Sequence, residues 1–212
     1  AYFALENALE RLFELTGQIA KEGVSLVPRV VPADAPFVQY QHYPQGDCVA
    51  PGNKSRWFYH AHKPEEREEG EHGHFHMFLP LDMFENVEPY YQPPARLPNG
   101  KKTQGVVHFG ALSFGVDGMP ISWFTTNYWV TYEYMMPAEA IASRLRDFDM
   151  TGAPGDPLVN DWLTAAVQHF HDPVIDIIRK RDAVLKEKKQ ELGSAVFTDK
   201  KVEILSRQPF DL

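Results

Sequence analysis

A single cysteine, Cys48, stands in a chain of 212 residues. It has no partner for an intrachain disulfide, so the fold does not depend on oxidising conditions. No apolar run approaches the roughly 18–20 residues that cross a bilayer as a helix. No secretory signal pattern is present, although a first residue of Ala1 leaves processing open; the expectation is a cytoplasmic protein. A basic surplus is missing too, since the formal net charge is −8. Neither phosphate neutralisation nor a polybasic patch is on offer, which argues against general nucleic-acid and membrane-surface binders. The chain has no Gly-x-Gly-x-x-Gly, no P-loop and no Gly-x-Ser-x-Gly elbow, so nothing signals a nucleotide fold or a serine-hydrolase turn. Internal repeats and low-complexity segments are absent. One glycosylation tripeptide, Asn53-Lys54-Ser55, is of a kind common by chance.

What is present is an ordinary globular balance, 43% hydrophobic and 24% charged, in a length that suits one domain with a real core. Residues 1–30 read as an N-terminal helix and linker. Leu5, Leu9, Leu12, Phe13 and Ile19 recur near helical spacing over 4–21, and Gly23 and Pro28 end the run. Residues 37–132 read as a β core. Phe37–Tyr43 is extended, Pro44-Gln45-Gly46-Asp47 is a turn, and Arg56–His62 and His72–Leu79 are two strands joined by a charged loop. A proline-rich stretch over 88–101 is irregular. Gly105–Phe114 and Ile121–Tyr132 then form a hairpin around Asp117-Gly118. Residues 137–192 read as helices. Asp156-Pro157 and Asp172-Pro173 each look like a cap followed by a first helical proline, and Gly193 is the final stop. Residues 193–212 hold a short strand, Val202–Ser206, and a tail. The expected class is α+β: an antiparallel sheet or small barrel-like core over about 37–132 plus the C-terminal strand, flanked by an N-terminal helix and C-terminal helices.

Five of the nine histidines lie within seventeen residues, in Tyr59-His60-Ala61-His62 and Gly70-Glu71-His72-Gly73-His74-Phe75-His76. They alternate, and alternation puts side chains on one face of a strand. Phe58, His60 and His62 share one face, with Trp57, Tyr59 and Ala61 behind them. On the second strand His72, His74, His76 and Phe78 share a face, with Phe75, Met77 and Leu79 behind. If 60 pairs with 74, opposed β-carbons lie about 4.5–5.5 Å apart, close enough for one metal to draw the rings together at bonds of about 2.0–2.1 Å. A slip of one residue would put the two sets on opposite faces. His108, in Val106-Val107-His108-Phe109, is the best ligand outside the hairpin; His42 and Cys48 are weaker candidates. Glu71 adjoins the cluster as a ligand, a catalytic group or a partner that orients an imidazole. The expected metal ligands are therefore drawn from His60, His62, His72, His74, His76 and His108. Without a metal, such a cluster must be a proton sensor or a solvated structural face.

The strings Tyr-His-Ala-His and Gly-Glu-His-Gly-His-Phe-His, with Phe124-Thr125-Thr126-Asn127-Tyr128-Trp129-Val130-Thr131 downstream, resemble a bacterial family of unknown function. This resemblance implies no activity. His60-Ala61-His62, with Glu66 and Gly73 following, is also similar to part of the first cupin metal motif. Lys54 stands where that motif has glycine, and Thr103 stands where the second cupin motif needs a histidine. The likeness implies histidines on strands inside a barrel.

Histidine-rich, sulfur-poor ligation suits iron, copper, zinc or nickel. Several strand histidines with an open position are the pattern of a catalytic site, and a core this size needs no metal to fold. Aromatic neighbours and the lack of a free general base favour a metal-dependent oxidoreductase, with non-haem iron or copper, acting on a small substrate. A zinc hydrolase or lyase is the alternative within enzymes. A carrier or sensor is the alternative outside them, although a copper carrier would be expected to show Met and Cys ligands. A homo-oligomer remains open.

Overall fold

Large apolar residues at alternate positions through the middle of the chain become strands, and those at three- and four-residue spacing become helices. The computed structural model describes residues 2–34, 36–97 and 99–211, without the side chains of residues 2–6. Helix α1 spans Tyr2–Glu22. Its buried stripe is Ala8, Leu12 and Leu15, with Ile19 partly covered. Phe13, expected on that stripe, is 57% exposed, because one helical step from Leu12 turns it away from the packed face. Leu5 lies outside the described side chains. A short helix, α2, follows at Leu26–Val30.

Strand β1 is Tyr43–Val49. The expected turn at Pro44–Asp47 falls inside it. Tyr43 pairs with Tyr59 and Cys48 with Trp57, so the excess residues of β1 loop out of register, with Gly46 and Asp47 at positive φ. Strands β2 (Arg56–His60), β3 (Glu71–Pro80), β4 (Val106–Gly115) and β5 (Pro120–Thr126) follow. The strand expected to reach Tyr132 stops at Thr126, because the Asn127 side chain accepts from the Tyr128 N–H and caps helix α3, Tyr128–Thr131. Helix α4 is Ala138–Ala142 and α5 is Pro157–His169, capped as expected by Asp156 accepting from the Leu158 N–H. Helix α6 is His171–Leu192. Here Asp172 and Pro173 sit inside the first turn instead of ahead of it: Phe170 is the cap residue, and the Asp172 carboxylate lies 2.6 Å from the His171 ring. The final strand, β6, is Ile204–Pro209, and it pairs antiparallel with β5.

The six strands run antiparallel in chain order. The sheet is open, with β1 and β6 as its edges, so the barrel implied by the cupin likeness is not formed. The architecture is α+β. One sheet face meets the helices through rings: Phe114 on Trp162, Phe109 on Phe148 and Trp123 on Phe170, at centroid distances of 5.8, 5.2 and 6.1 Å. Trp57, Tyr59, Phe75, Met77 and Leu79 belong to this core. The other face carries Phe58, Phe78, His60, His74, His76 and His108. No helix among the described residues is long and apolar enough to cross a membrane.

Candidate metal centre

The β2–β3 register sets the site. His60 pairs with His74 and Phe58 with His76, so three imidazoles rise from two neighbouring strands on one face. One ring nitrogen of each of His60, His74 and His76 lies within 4.8 Å of the others, and all three residues are buried. His60 Nε2 and His74 Nε2 are 2.8 Å apart. Two ligands of one tetrahedral ion would be separated by about 3.4 Å, so a small outward shift of either ring admits a cation.

The far sides of the rings are already occupied. His74 Nδ1 donates to Glu71 Oε1 at 2.6 Å. That bond leaves His74 Nε2 as the lone-pair nitrogen, the tautomer that a metal requires. His76 Nδ1 lies 2.9 Å from His108 Nε2, and His108 Nδ1 lies 3.4 Å from Thr126 Oγ1. The remaining nitrogen of His76, Nε2, is buried without a partner among the described residues. An orphaned buried imidazole nitrogen costs on the order of 1–3 kcal/mol. A cation shared with His60 and His74 would satisfy it.

Electrostatics agree with neutral, lone-pair-bearing rings at His60 and His76. Burial, then the neighbouring histidines, push His60 and His76 far below the usual imidazole range. Burial, followed by the charge of Arg181, lowers His108 to about 3. For Glu71, burial works toward protonation, but the hydrogen bond from His74, with help from the Glu68 N–H and Arg207, holds the carboxyl below its ordinary value. A carboxylate backing a histidine is the arrangement that raises ligand basicity.

The structure does not bring every expected residue into this group. His62 lies just beyond the end of β2, half-buried, with its ring 5.0 Å from His60 and 5.2 Å from His74. His72 is on the other side of the sheet. A bulge between Glu71 and Gly73 adds one residue to β3, and parity reverses there. Glu71 therefore turns toward His74, while His72 Nδ1 meets Tyr59 Oη at 2.7 Å. A second bulge, between Met77 and Phe78, works the other way. It carries His108 to the histidine face although Leu112 and Phe114, of the same parity on β4, belong to the core. His108 then stands behind His76 instead of beside the three clustered nitrogens. His42 stacks on Phe58 at 3.6 Å and lies 3.0 Å from Asp47 Oδ1. The Cys48 thiol is buried against Pro154 and Asn160, and burial raises it to about 12, so it is packed and unreactive. Glu66 accepts from the Tyr40 hydroxyl and lines the cavity without joining the three clustered nitrogens.

A cavity of about 290 Å³ opens over His74 and His76, walled by Phe124 and Thr126. Arg207 of β6 and Lys201 also reach it. Sequence reading did not single out these residues, because their approach depends on β6 pairing with β5, and no local motif encodes that. The DUF6969 family, a domain of unknown function, matches residues 6–210. The chain belongs to this family. DUF6969 membership accords with the likeness to an uncharacterised family and names no reaction. Neither a curated protein nor a solved structure matches the chain.

Proposed function

We propose that this DUF6969 protein is a metal-dependent oxidoreductase acting on a small substrate, with one non-haem iron or copper ion held by His60, His74 and His76. The observation that carries the reading is the buried, unpartnered His76 Nε2, next to two imidazoles whose own nitrogens face each other at 2.8 Å. Three neutral imidazoles leave at least one coordination position for water or substrate, and that position would lie on the cavity side. Glu71 orients His74, and His108 orients His76. Bound there, iron or copper would supply electron-transfer or oxygen chemistry. Redox chemistry is favoured over hydrolysis because three of the four carboxylates lining the cavity are committed, Glu71 to His74, Glu68 to Arg207 and Glu66 to Tyr40, with Glu203 the fourth. Phe58, at 5.0 Å from His76, and Phe124, at 5.2 Å from His74, keep the rings in a dry surround.

The donor set is one that zinc shares, so a zinc hydrolase or lyase is the second reading. Elemental analysis after expression with iron, copper and zinc supplied, together with electronic and electron-spin spectra, separates the two. The expected result is a single equivalent of iron or copper per chain, lost in His74→Ala and His76→Ala. Zinc retained in place of both selects the second reading. Metal that leaves on simple dialysis selects a carrier. A metal-free protein under all three supplements rejects the site.

A further inference from the structure

Arg207 is held in the same cavity in an unusual way. Its guanidinium lies over the Phe124 ring, 4.9 Å from the centroid, and Phe124 in turn meets His74 edge-on at 5.2 Å. Every hydrogen bond that it makes uses one nitrogen. Nη1 donates to Glu68 and, at 2.7 Å, to Ser122 Oγ. Ser122 is itself buried and fixed by Ser113, at 2.9 Å between hydroxyls. Nε and Nη2, the pair that forms the flat bidentate edge of a guanidinium, have no partner among the described residues. The ring contact and two bonds from Nη1 thus anchor the guanidinium and leave its carboxylate-matching edge open. Lys201 and Arg67 line the same cavity; of its four carboxylates, Glu68, Glu66 and Glu71 are engaged by Arg207, Tyr40 and His74, and Glu203 is the fourth.

We infer that Arg207 anchors the substrate, and that the substrate is a small carboxylate whose acid group sits on the Nε–Nη2 edge while its reacting end reaches His60, His74 and His76. This deepens the metalloenzyme reading and rests on it for the reacting end. A carboxylate matches the single planar Nε–Nη2 edge that Arg207 offers, and Arg67, whose Nε donates to the His62 carbonyl, adds positive charge to the same cavity. The cavity of about 290 Å³ lies at the lower limit of small-molecule sites, which sets the substrate size.

The test uses acetate, propionate and benzoate against acetamide, propionamide and benzamide. Each is titrated into metal-free and Zn²⁺-loaded full-length protein, following the Arg207 side-chain Nε–H resonance by NMR and affinity by calorimetry. The inference expects the carboxylates to move that resonance and the amides to leave it. It also expects Arg207→Lys and Arg207→Gln to weaken carboxylate binding by roughly tenfold to a hundredfold, with Zn²⁺ content unchanged. Lys201→Ala should bind carboxylates within about twofold of wild type, which falls inside the usual range for exposed charges. Amides binding as well as carboxylates, an Arg207 resonance indifferent to both, or Lys201→Ala weakening binding as much as Arg207→Lys would each overturn it. The resonance is read on the unaltered chain, so misfolding of an Arg207 variant leaves the inference open to refutation. Loss of Zn²⁺ binding with the carboxylate response intact would sink the metal reading and spare the fork.

Discussion

Each histidine of the cluster has two nitrogens, and the function of each ring follows from what occupies the second one. Glu71 takes the proton side of His74, so Glu71→Gln should weaken metal binding by about 10- to 100-fold while leaving the far-ultraviolet spectrum unchanged; competition with a chelator measures it. His108→Ala removes the partner of His76 Nδ1 and should weaken binding within the same range, less than His76→Ala. His72→Ala should leave metal content as in wild type, since that ring lies across the sheet against Tyr59. Glu133 is a different case. Burial raises its carboxyl to about 8, against a pull from Arg56, and its Oε2 has no partner among the described residues. The folded state keeps a proton there that the unfolded chain releases above about 4.5. Its stabilising effect is therefore full below that pH and fades as pH rises toward 8. Glu133→Gln should flatten this slope and raise stability at pH 8 by on the order of 2 kcal/mol, as read from urea unfolding across pH.

Among the elements, β3 does the most to shape the site, and it does so through its bulges. Gly73 lies in the first bulge. A β-carbon there would come within 2.4 Å of the His60 carbonyl oxygen and 2.6 Å of Tyr59 Oη, and the carbonyl is backbone that cannot swing away. Gly73→Ala should therefore cost about 1–3 kcal/mol and shift His60 against His74. Reduced metal affinity together with a lower denaturant midpoint would show both effects, whereas a change in the midpoint alone would mean that the close approach is structural only. At the end of β5, Asn127 caps α3 through its oxygen and donates to the Val196 and Val202 carbonyls. Asn127→Ala, which removes the cap and the side-chain donor to the Val196 carbonyl while Trp129 Nε1 still donates to Val202, should destabilise by about 1–3 kcal/mol.

The whole molecule separates two tasks by sheet face. Helices α5 and α6 and their ring contacts fill one face, and that core owes nothing to the histidines. The second face is left for the buried imidazoles, where His76 Nε2 has no partner among the described residues. Adding metal should therefore raise the melting temperature of the purified apo protein in proportion to the logarithm of its free concentration. His60→Ala should abolish that response without lowering the apo melting temperature by much, because the helix-side core is untouched. Calorimetry with and without metal checks both.

Local chemistry made much of this legible from residues alone. Alternation placed His60, His74 and His76 on strands, although it ran β2 on to His62, two residues past its end; Asp117-Gly118 marked a hairpin, Asp156 marked a helix start, and Gly193 marked a helix end. These signals depend on neighbours a few positions apart, whose geometry the backbone period sets. Period alone also put His72 with the cluster, left the position of His108 open, and ran β5 on to Tyr132. Those points turned on bulges and on a cap whose side chain reaches residues about seventy positions later. A bulge adds one residue to one strand only, so it shows itself in the pairing and not in either strand's own alternation. The sequence by itself therefore determined that imidazoles line one face of a β-hairpin. Only the tertiary structure decided which three meet, what backs them, and that Arg207 comes from the last strand to stand over the same cavity.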